Sequence, residues 1–261
     1  MSGHHYTRAD FVSALRAVGL KGGDTVFSHG NLGFFGYPAE GRMPQEVFQL
    51  VRDSFREVIG AEGTLVVPTF TYSFCKGAPF DHARSPSTCG AFTEWARQQP
   101  DAHRSRDPLF SVAALGHRAE ELTENTPVEC FGPGSFWERF FTTAGMICNL
   151  NFDAGSTFVH YVERVLDVPY RTNKEFAGEF LVEGRVLPGR AIFFCRDLTQ
   201  PGTAAAFERF DSIARQRGHA RRAQVGRGSV VGIRATAVHD LILDMLPVEP
   251  WFLTAAGEDN R

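Results

Sequence analysis

The chain has no C-x-x-C pair; its five cysteines (Cys75, Cys89, Cys130, Cys148, Cys195) are odd in number and scattered. That excludes a disulfide framework and a thiolate zinc site, leaving small core residues or inert thiols. There is no H-E-x-x-H and no G-x-G-x-x-G, so a zinc-hydrolase arrangement and the dinucleotide fingerprint are both missing. No apolar run approaches the length of a membrane span, and the stretch before Asp10 lacks the apolar core of a secretory signal. Basic residues (27) do not outnumber acidic ones (30), so no basic stripe marks a nucleic-acid partner. Tyrosine is scarce, 5 against 24 phenylalanines. Pairs such as Phe34-Phe35, Phe140-Phe141 and Phe193-Phe194 imply a bulky core with apolar cleft walls. No repeat or low-complexity segment is visible.

What is present is the composition of an ordinary globular protein, 43% hydrophobic and 22% charged over 261 residues. That length suits one α/β domain, taken as residues 1–261, in a cytoplasmic enzyme able to form a homo-oligomer. Thr7 and Asp10 open a helix whose apolar face is Phe11, Leu15 and Val18, and Gly22-Gly23 closes it. A buried strand at 24–27 leads into a Gly-rich loop from Gly30 to Gly41. Pro44 starts the next helix, with Val47, Val51, Phe55 and Val58 on one face and Gly60 past its end. Further strands are expected at 63–70, 110–115, 146–150 and 229–235, and helices at 203–217 and 238–246. Residues 176–182 and 185–195 read as an antiparallel pair turning at Glu183-Gly184. The fold class is therefore α/β: a mixed central sheet flanked by helices, with an antiparallel addition in the C-terminal third.

Three segments carry candidate chemistry. The loop Ser28-His29-Gly30-Asn31-Leu32-Gly33 follows a strand, where ligands settle in open α/β sheets, and its glycines admit close approach of a phosphate or an amide. A purely conformational role accounts for it equally. Ser156 or Thr157 can cap a helix that places His160 and Glu163 on one face, as a base oriented by a carboxylate. Amine acylation needs such a base, because an ammonium has no lone pair. An ordinary surface pair is the plainer reading, and zinc lacks a third ligand. Arg104 and Arg106 could clamp phosphate oxygens or form a solvated cluster.

Taken together and in order, these segments resemble the aminoglycoside 3-N-acetyltransferase family, whose fold differs from that of the common GNAT acetyltransferases. Residues 23–29 (GDTVFSH) are similar to the family's first strand and cofactor loop, and residues 63–71 (GTLVVPTFT) to its G-T-L-x-x-P-T-F-T segment. Residues 104–114 resemble its R-S-x-H-P-x-x-S-V-A-A run, and residues 157–163 match T-x-x-H-x-x-E. The resemblance implies acetyl-CoA as co-substrate, held by Ser28, His29, Gly30, Asn31, Leu32, Gly33, Thr69, Phe70, Thr71, Arg104, Ser105 and Ser111, with no metal. It also implies that His160 takes a proton from a small-molecule amine in a ternary complex, supported either by Glu163 or by the downstream Glu208.

Asp107 stands where the family has histidine, and Ser156 where asparagine is usual. Residues 131–137 and Val168-Pro169-Tyr170-Arg171 resemble a branch that acts in amino-sugar or polysaccharide biosynthesis. With Tyr170–Lys174, Arg221 and Arg222 read as holding an anionic acceptor, the expectation is acetylation of a primary amine on an amino sugar, possibly nucleotide-linked. The alternatives are an aminoglycoside 3-N-acetyltransferase conferring antibiotic resistance and a non-catalytic ligand-binding member of the fold. A ping-pong acyl-enzyme on Cys75 or Cys148 is a further rival.

Overall fold

A computed structural model of the protein describes residues 3–259. In chain order the elements begin with α1 (Arg8–Ala17), β1 (Thr25–Gly30), α2 (Pro44–Ile59), β2 (Thr64–Pro68), β3 (Phe80–Asp81) and α3 (Ala91–Arg97). They continue with β4 (Ala102–Arg104), β5 (Val112–Gly116), α4 (Ala119–Thr123), α5 (Phe136–Thr142), β6 (Met146–Leu150) and α6 (Phe158–Val165). The last third holds β7 (Arg171–Val182), β8 (Arg185–Arg196), α7 (Glu208–Gln216), β9 (Arg221–Val225), β10 (Gly228–Arg234), α8 (Ala235–Met245) and α9 (Ala255–Asp259).

Seven strands form one mixed sheet in the order β4-β5-β2-β1-β6-β10-β9. The pairings of β1 with β2 and with β6 are parallel, and every other pairing in this sheet is antiparallel. The central strands are apolar on both sides because both faces are covered. Alternate residues serve opposite cores. Val26, Leu65, Val67, Met146 and Cys148 pack with α1 and α2, whereas Phe27, Val66 and Ile147 pack with α5, α6 and α8. The helices at either end of the sequence stripe behave as expected: Thr7 and Asp10 form a capping box, and Pro44 sits in the first turn of α2 with Val51, Phe55 and Val58 buried.

β1 lies at the centre, and successive parallel strands depart from it in both directions, to β2 on one side and β6 on the other. Such a switch point leaves a crevice beyond the carboxyl ends of the two strands. At Gly30 the strands approach so closely that a Cβ would run into the carbonyl of Leu150. The loops after β1 and after β6 therefore emerge side by side.

The second sheet, β3-β7-β8, is built on a hairpin of two 12-residue strands. Its turn places Glu183 at φ +51° and Gly184 at φ +77°, the left-handed pair of a tight two-residue turn. The hairpin begins at Arg171 rather than at 176; the extra residues Thr172–Glu175 are exposed, so no apolar alternation marks them in the sequence. The short strands β3, β4 and β9 have no clear sequence signal of their own, whereas α4 and α5 fall in the stretch between β5 and β6 that reads as helical. The stretch 203–207 is not helical; α7 starts at Glu208. None of the helices among the described residues is long and apolar enough to cross a membrane.

Gly30→Ala forces β1 and β6 apart at Leu150. We expect a loss of about 1–3 kcal/mol, the usual cost of overpacking, read as a lower denaturant midpoint at unchanged slope.

Candidate active site

His160 and Glu163 lie one turn apart on α6, and the chain reaches that helix through a pinned loop. Asn149, buried in β6, donates from Nδ2 to the carbonyls of Asp153 (2.6 Å) and Gly155 (2.8 Å). Asp211 accepts from the Ala154 N–H at 2.9 Å, and Ser156 Oγ from the Phe158 N–H at 3.3 Å. Thr157 is the N-cap residue of α6 by position, without a side-chain capping bond. Ser156, in the place of the family's asparagine, keeps a bond at the helix start.

His160 Nδ1 lies 2.6 Å from Glu163 Oε2, which makes Nδ1 the protonated nitrogen and leaves Nε2 with its lone pair. The Glu163 side chain is fully buried. Its other oxygen accepts from Tyr170 Oη at 2.9 Å, and Arg171 Nε approaches Oε2 at 2.7 Å. The Arg171 contact is ionic, since the Nε–H is not directed along a hydrogen bond. Burial alone would raise the Glu163 carboxyl, but His160, Arg171 and Tyr170 outweigh it and hold it below its ordinary 4.5. Burial draws the His160 imidazole below 6.5 despite the upward pull of Glu163, and Arg171 adds to the lowering. The ring stands between Phe131 and Phe207, each 6.0 Å away centre to centre, with 18% of the side chain open. The result is a neutral, oriented base at working pH.

The switch-point crevice contains two chambers. The inner one, about 550 Å³, is lined by Phe27, Phe48, Pro68, Phe70, Phe92 and the loop residues His29, Gly30, Asn31, Leu32 and Gly33, and it reaches Thr157, one turn before His160. His29 is the exception on this apolar wall: burial brings its pKa down to about 4, and its buried Nε2 has no hydrogen-bond partner in the protein. The outer chamber, about 920 Å³, shares Gly33 and Phe152 with the inner one.

Of the residues expected to hold the co-substrate, His29 to Gly33 and Phe70 line the crevice, and the others do not. Ser28 is buried and donates to the Cys148 carbonyl at 2.7 Å. Thr69 and Ser111 bond each other, and the Ser111 hydroxyl also lies 2.6 Å from the Thr69 carbonyl. Thr71 donates to the Pro108 carbonyl, and Ser105 accepts from the Val112 N–H. Arg104 is spent internally, on the carbonyls of Thr69, His82 and Ser85 and on the hydroxyls of Thr69 and Ser111. The side chains of Thr69, Thr71, Arg104, Ser105 and Ser111, which the resemblance assigns to the co-substrate, make these contacts within the protein and knit β2, β4 and β5 together. Asp107 likewise serves the fold, accepting from the N–H groups of Leu109 and Phe110 at 2.8 and 2.9 Å.

Glu208 is exposed at the start of α7, where the group it acts on is Asp153, and it is not among the groups that shift His160. The carboxylate bonded to His160 is Glu163. Tyr170 and Arg171 were read as facing an anionic acceptor, whereas both are buried against Glu163. Lys174 and Arg221 are exposed; Arg222 lines the outer chamber. No sequence pattern flagged Phe152, Phe48 or Phe92, whose bulk alone gave no sign of facing a cleft.

The profile described as aminoglycoside 3-N-acetyltransferase matches residues 29–247. The chain belongs to the aminoglycoside 3-N-acetyltransferase family. It is 30% identical to aminoglycoside N(3)-acetyltransferase VII of Streptomyces paromomycinus, the match covering 87% of this chain and 84% of that one. It is 29% identical to aminoglycoside N(3)-acetyltransferase VIII of Streptomyces fradiae, over 70% of each. The fold is similar to that of aminoglycoside acetyltransferase AAC(3)-Xa, with a TM-score of 0.80, 24% identity, and 96% and 94% of the two chains covered. It is also similar to AAC-IIIb, solved as a binary complex with CoASH, with a TM-score of 0.78, 23% identity, and 93% and 96% covered. The protein is an N-acetyltransferase that uses acetyl-CoA. The relatives' names favour the aminoglycoside alternative over the biosynthetic amino-sugar expectation.

A general base acts in its neutral form, so if His160 fills that role the acid limb of the kcat/KM profile should fall below pH 6.5, because burial draws its pKa down. Glu163→Gln removes the contacts that raise this pKa, so the limb should move to lower pH while the plateau rate drops. Glu208→Gln should shift neither. A profile in which Glu208→Gln moves the limb and Glu163→Gln does not would reassign the dyad.

Proposed function

We propose that this enzyme acetylates the 3-amino group of an aminoglycoside by direct transfer from acetyl-CoA. The observation that carries the reading is the neutral His160, oriented by a buried Glu163 one turn beyond the end of an apolar crevice. The acceptor class rests on relatives that carry this activity in their names and are covered over 84% and 70% of their length.

The inner chamber fits an acylated pantetheine arm: its walls are apolar, its floor is the glycine-containing loop, and the orphaned His29 Nε2 offers one polar partner. Acetyl-CoA supplies the thioester carbonyl. An amine nitrogen attacks that carbon while His160 Nε2 takes its proton, and the C–S bond breaks with its electron pair on sulfur. The proton then passes from His160 to the leaving thiolate, so acetylated amine and free thiol are the products and the base returns neutral. Glu163 stabilises the transient imidazolium.

Direct transfer is favoured over a thiol relay because the available thiols are poorly ionised. Burial raises Cys75, drives Cys148 far above the ordinary range, and also raises Cys89, which lines the inner chamber.

His160→Ala should lower kcat by ~10²–10⁴-fold, the scale of a lost general base, with coenzyme A affinity by calorimetry nearly unchanged. Near-normal turnover in the folded variant removes the assignment. Thiol release measured with aminoglycosides and with a nucleotide-linked amino sugar should favour the aminoglycosides; the opposite preference overturns the acceptor reading.

A further inference from the structure

One wall of the His160 site comes from a part of the chain that the T-x-x-H-x-x-E motif does not include. Phe207 stands 6.0 Å from the imidazole, centre to centre, with the two rings tilted by 48°. It is fixed from both sides in sequence. Before it, the Ala206 N–H donates to the Leu253 carbonyl at 3.0 Å and the Ala255 N–H to the Ala204 carbonyl at 2.8 Å, so its approach runs antiparallel to the segment after α8. After it, α7 begins at Glu208, and the Asp211 N–H donates to the Phe207 carbonyl at 2.9 Å.

The same helix reaches the loop that aims α6. Asp211 is buried, which an acidic side chain rarely is without partners. Its Oδ1 accepts from the Ala154 N–H at 2.9 Å, and its Oδ2 meets Arg215 Nε, one turn on, at 2.7 Å. At the next loop residue, Gly155, a Cβ would fall 2.8 Å from the Phe207 side chain. Phe207 and α7 therefore meet the loop twice, by a hydrogen bond at Ala154 and by an aromatic ring at Gly155, and the same ring continues to His160. Asn149 ties that loop to the sheet, and Asp211 ties it to α7. The carboxylate of α7 that bears on the site is then Asp211 rather than Glu208, and it does so through the loop.

We propose that Phe207 and Asp211 are positioning residues: Phe207 walls one side of the His160 ring, and Asp211 keeps that wall in register with α6 by binding the loop at Ala154. The proposal rests on the reading of His160 as the general base. What the wall does to the base follows from the groups around the ring. Glu163 on its own helix favours the imidazolium, Arg171 from β7 opposes it, and Tyr170 reaches it through Glu163. Glu129 and Cys130 lie next to Phe131 in the chain, and Glu208 and Asp211 follow Phe207, but none of the four is among the groups that shift it; Arg209 pairs with Glu249. Burial is the largest influence, and Phe131 and Phe207 are the rings between which the imidazole stands. Loosening Phe207 admits water, and solvation favours the charged form, so the pKa of His160 should rise. That direction is opposite to the one expected for Glu163→Gln.

Titration of His160 by NMR in the full chain, its ring resonance identified by its loss in His160→Ala, reads this without any substrate. Phe207→Leu and Asp211→Ala should both raise the midpoint. Their plateau kcat/KM with acetyl-CoA and an aminoglycoside should drop by about 10–100-fold, the scale of a misplacement of about 1 Å, with coenzyme A affinity by calorimetry nearly unchanged. Asp211→Asn keeps an oxygen for the Ala154 N–H and should restore both midpoint and rate. Lower stability alone would shrink the folded fraction without moving the midpoint, and if Asp211→Ala does not fold, Phe207→Leu and Asp211→Asn still decide. A midpoint that stays or falls in Phe207→Leu, or a rate loss that coenzyme A affinity accounts for, overturns the inference. So does an Asp211→Asn protein with the raised midpoint of Phe207→Leu. If the midpoint rises as expected but the acid limb of the rate profile does not follow it, the general-base reading fails and the positioning roles stand.

Discussion

The site depends on one buried charge. Glu163 has no solvent to stabilise it, so its ionisation is sustained by Arg171, Tyr170 and the Nδ1–H of His160. Removing one partner of a buried pair typically costs about 3–5 kcal/mol, because the remaining charge is left uncompensated. The carboxylate so held sets the histidine tautomer through Nδ1, so the ionisation of Glu163 and the orientation of His160 come from one cluster of contacts. Arg171 acts twice: it keeps Glu163 charged and disfavours a proton on His160.

The contacts come from elements consecutive in the chain, gathered at one end of the crevice. His160 and Glu163 are on α6, which follows directly from central strand β6, and Arg171 is the first residue of β7. The switch point at β1 and β6 opens the crevice, and the pinned loop from Asn149 to Ser156 aims α6 at its end. The sheet therefore fixes where chemistry can occur, and the second sheet supplies the counter-charge.

Much of this was legible in the sequence. The strand at 146–150, the cap before residue 158 and the i, i+3 pair were read from local pattern, and local pattern governs them. The loop His29–Gly33 was visible by its position after a buried strand, although its glycines fit a purely conformational role equally well. Less legible was the direction of side chains at strand ends. Thr69, Ser105 and Ser111 have the same residue types as ligand contacts, and only the pairing of β2, β4 and β5 turns them inward. Tyr170 and Arg171 were noticed, yet burial reversed their meaning: a surface clamp became the support of a carboxylate. Glu208 and Glu163 were indistinguishable without the distance to His160.

The hairpin of β7 and β8 is anchored unequally. Its base begins at Arg171, inside the electrostatic core of the site, whereas Val186 and Leu187 near its far end are exposed at 57% and 46%. Mutational tolerance should therefore be graded along its length. The tip can be lengthened, recharged or reshaped with little effect on the basicity of His160, while the first residue cannot change without disturbing it. Reshaping the arm and keeping the site intact are thus compatible, because they concern opposite ends of one element.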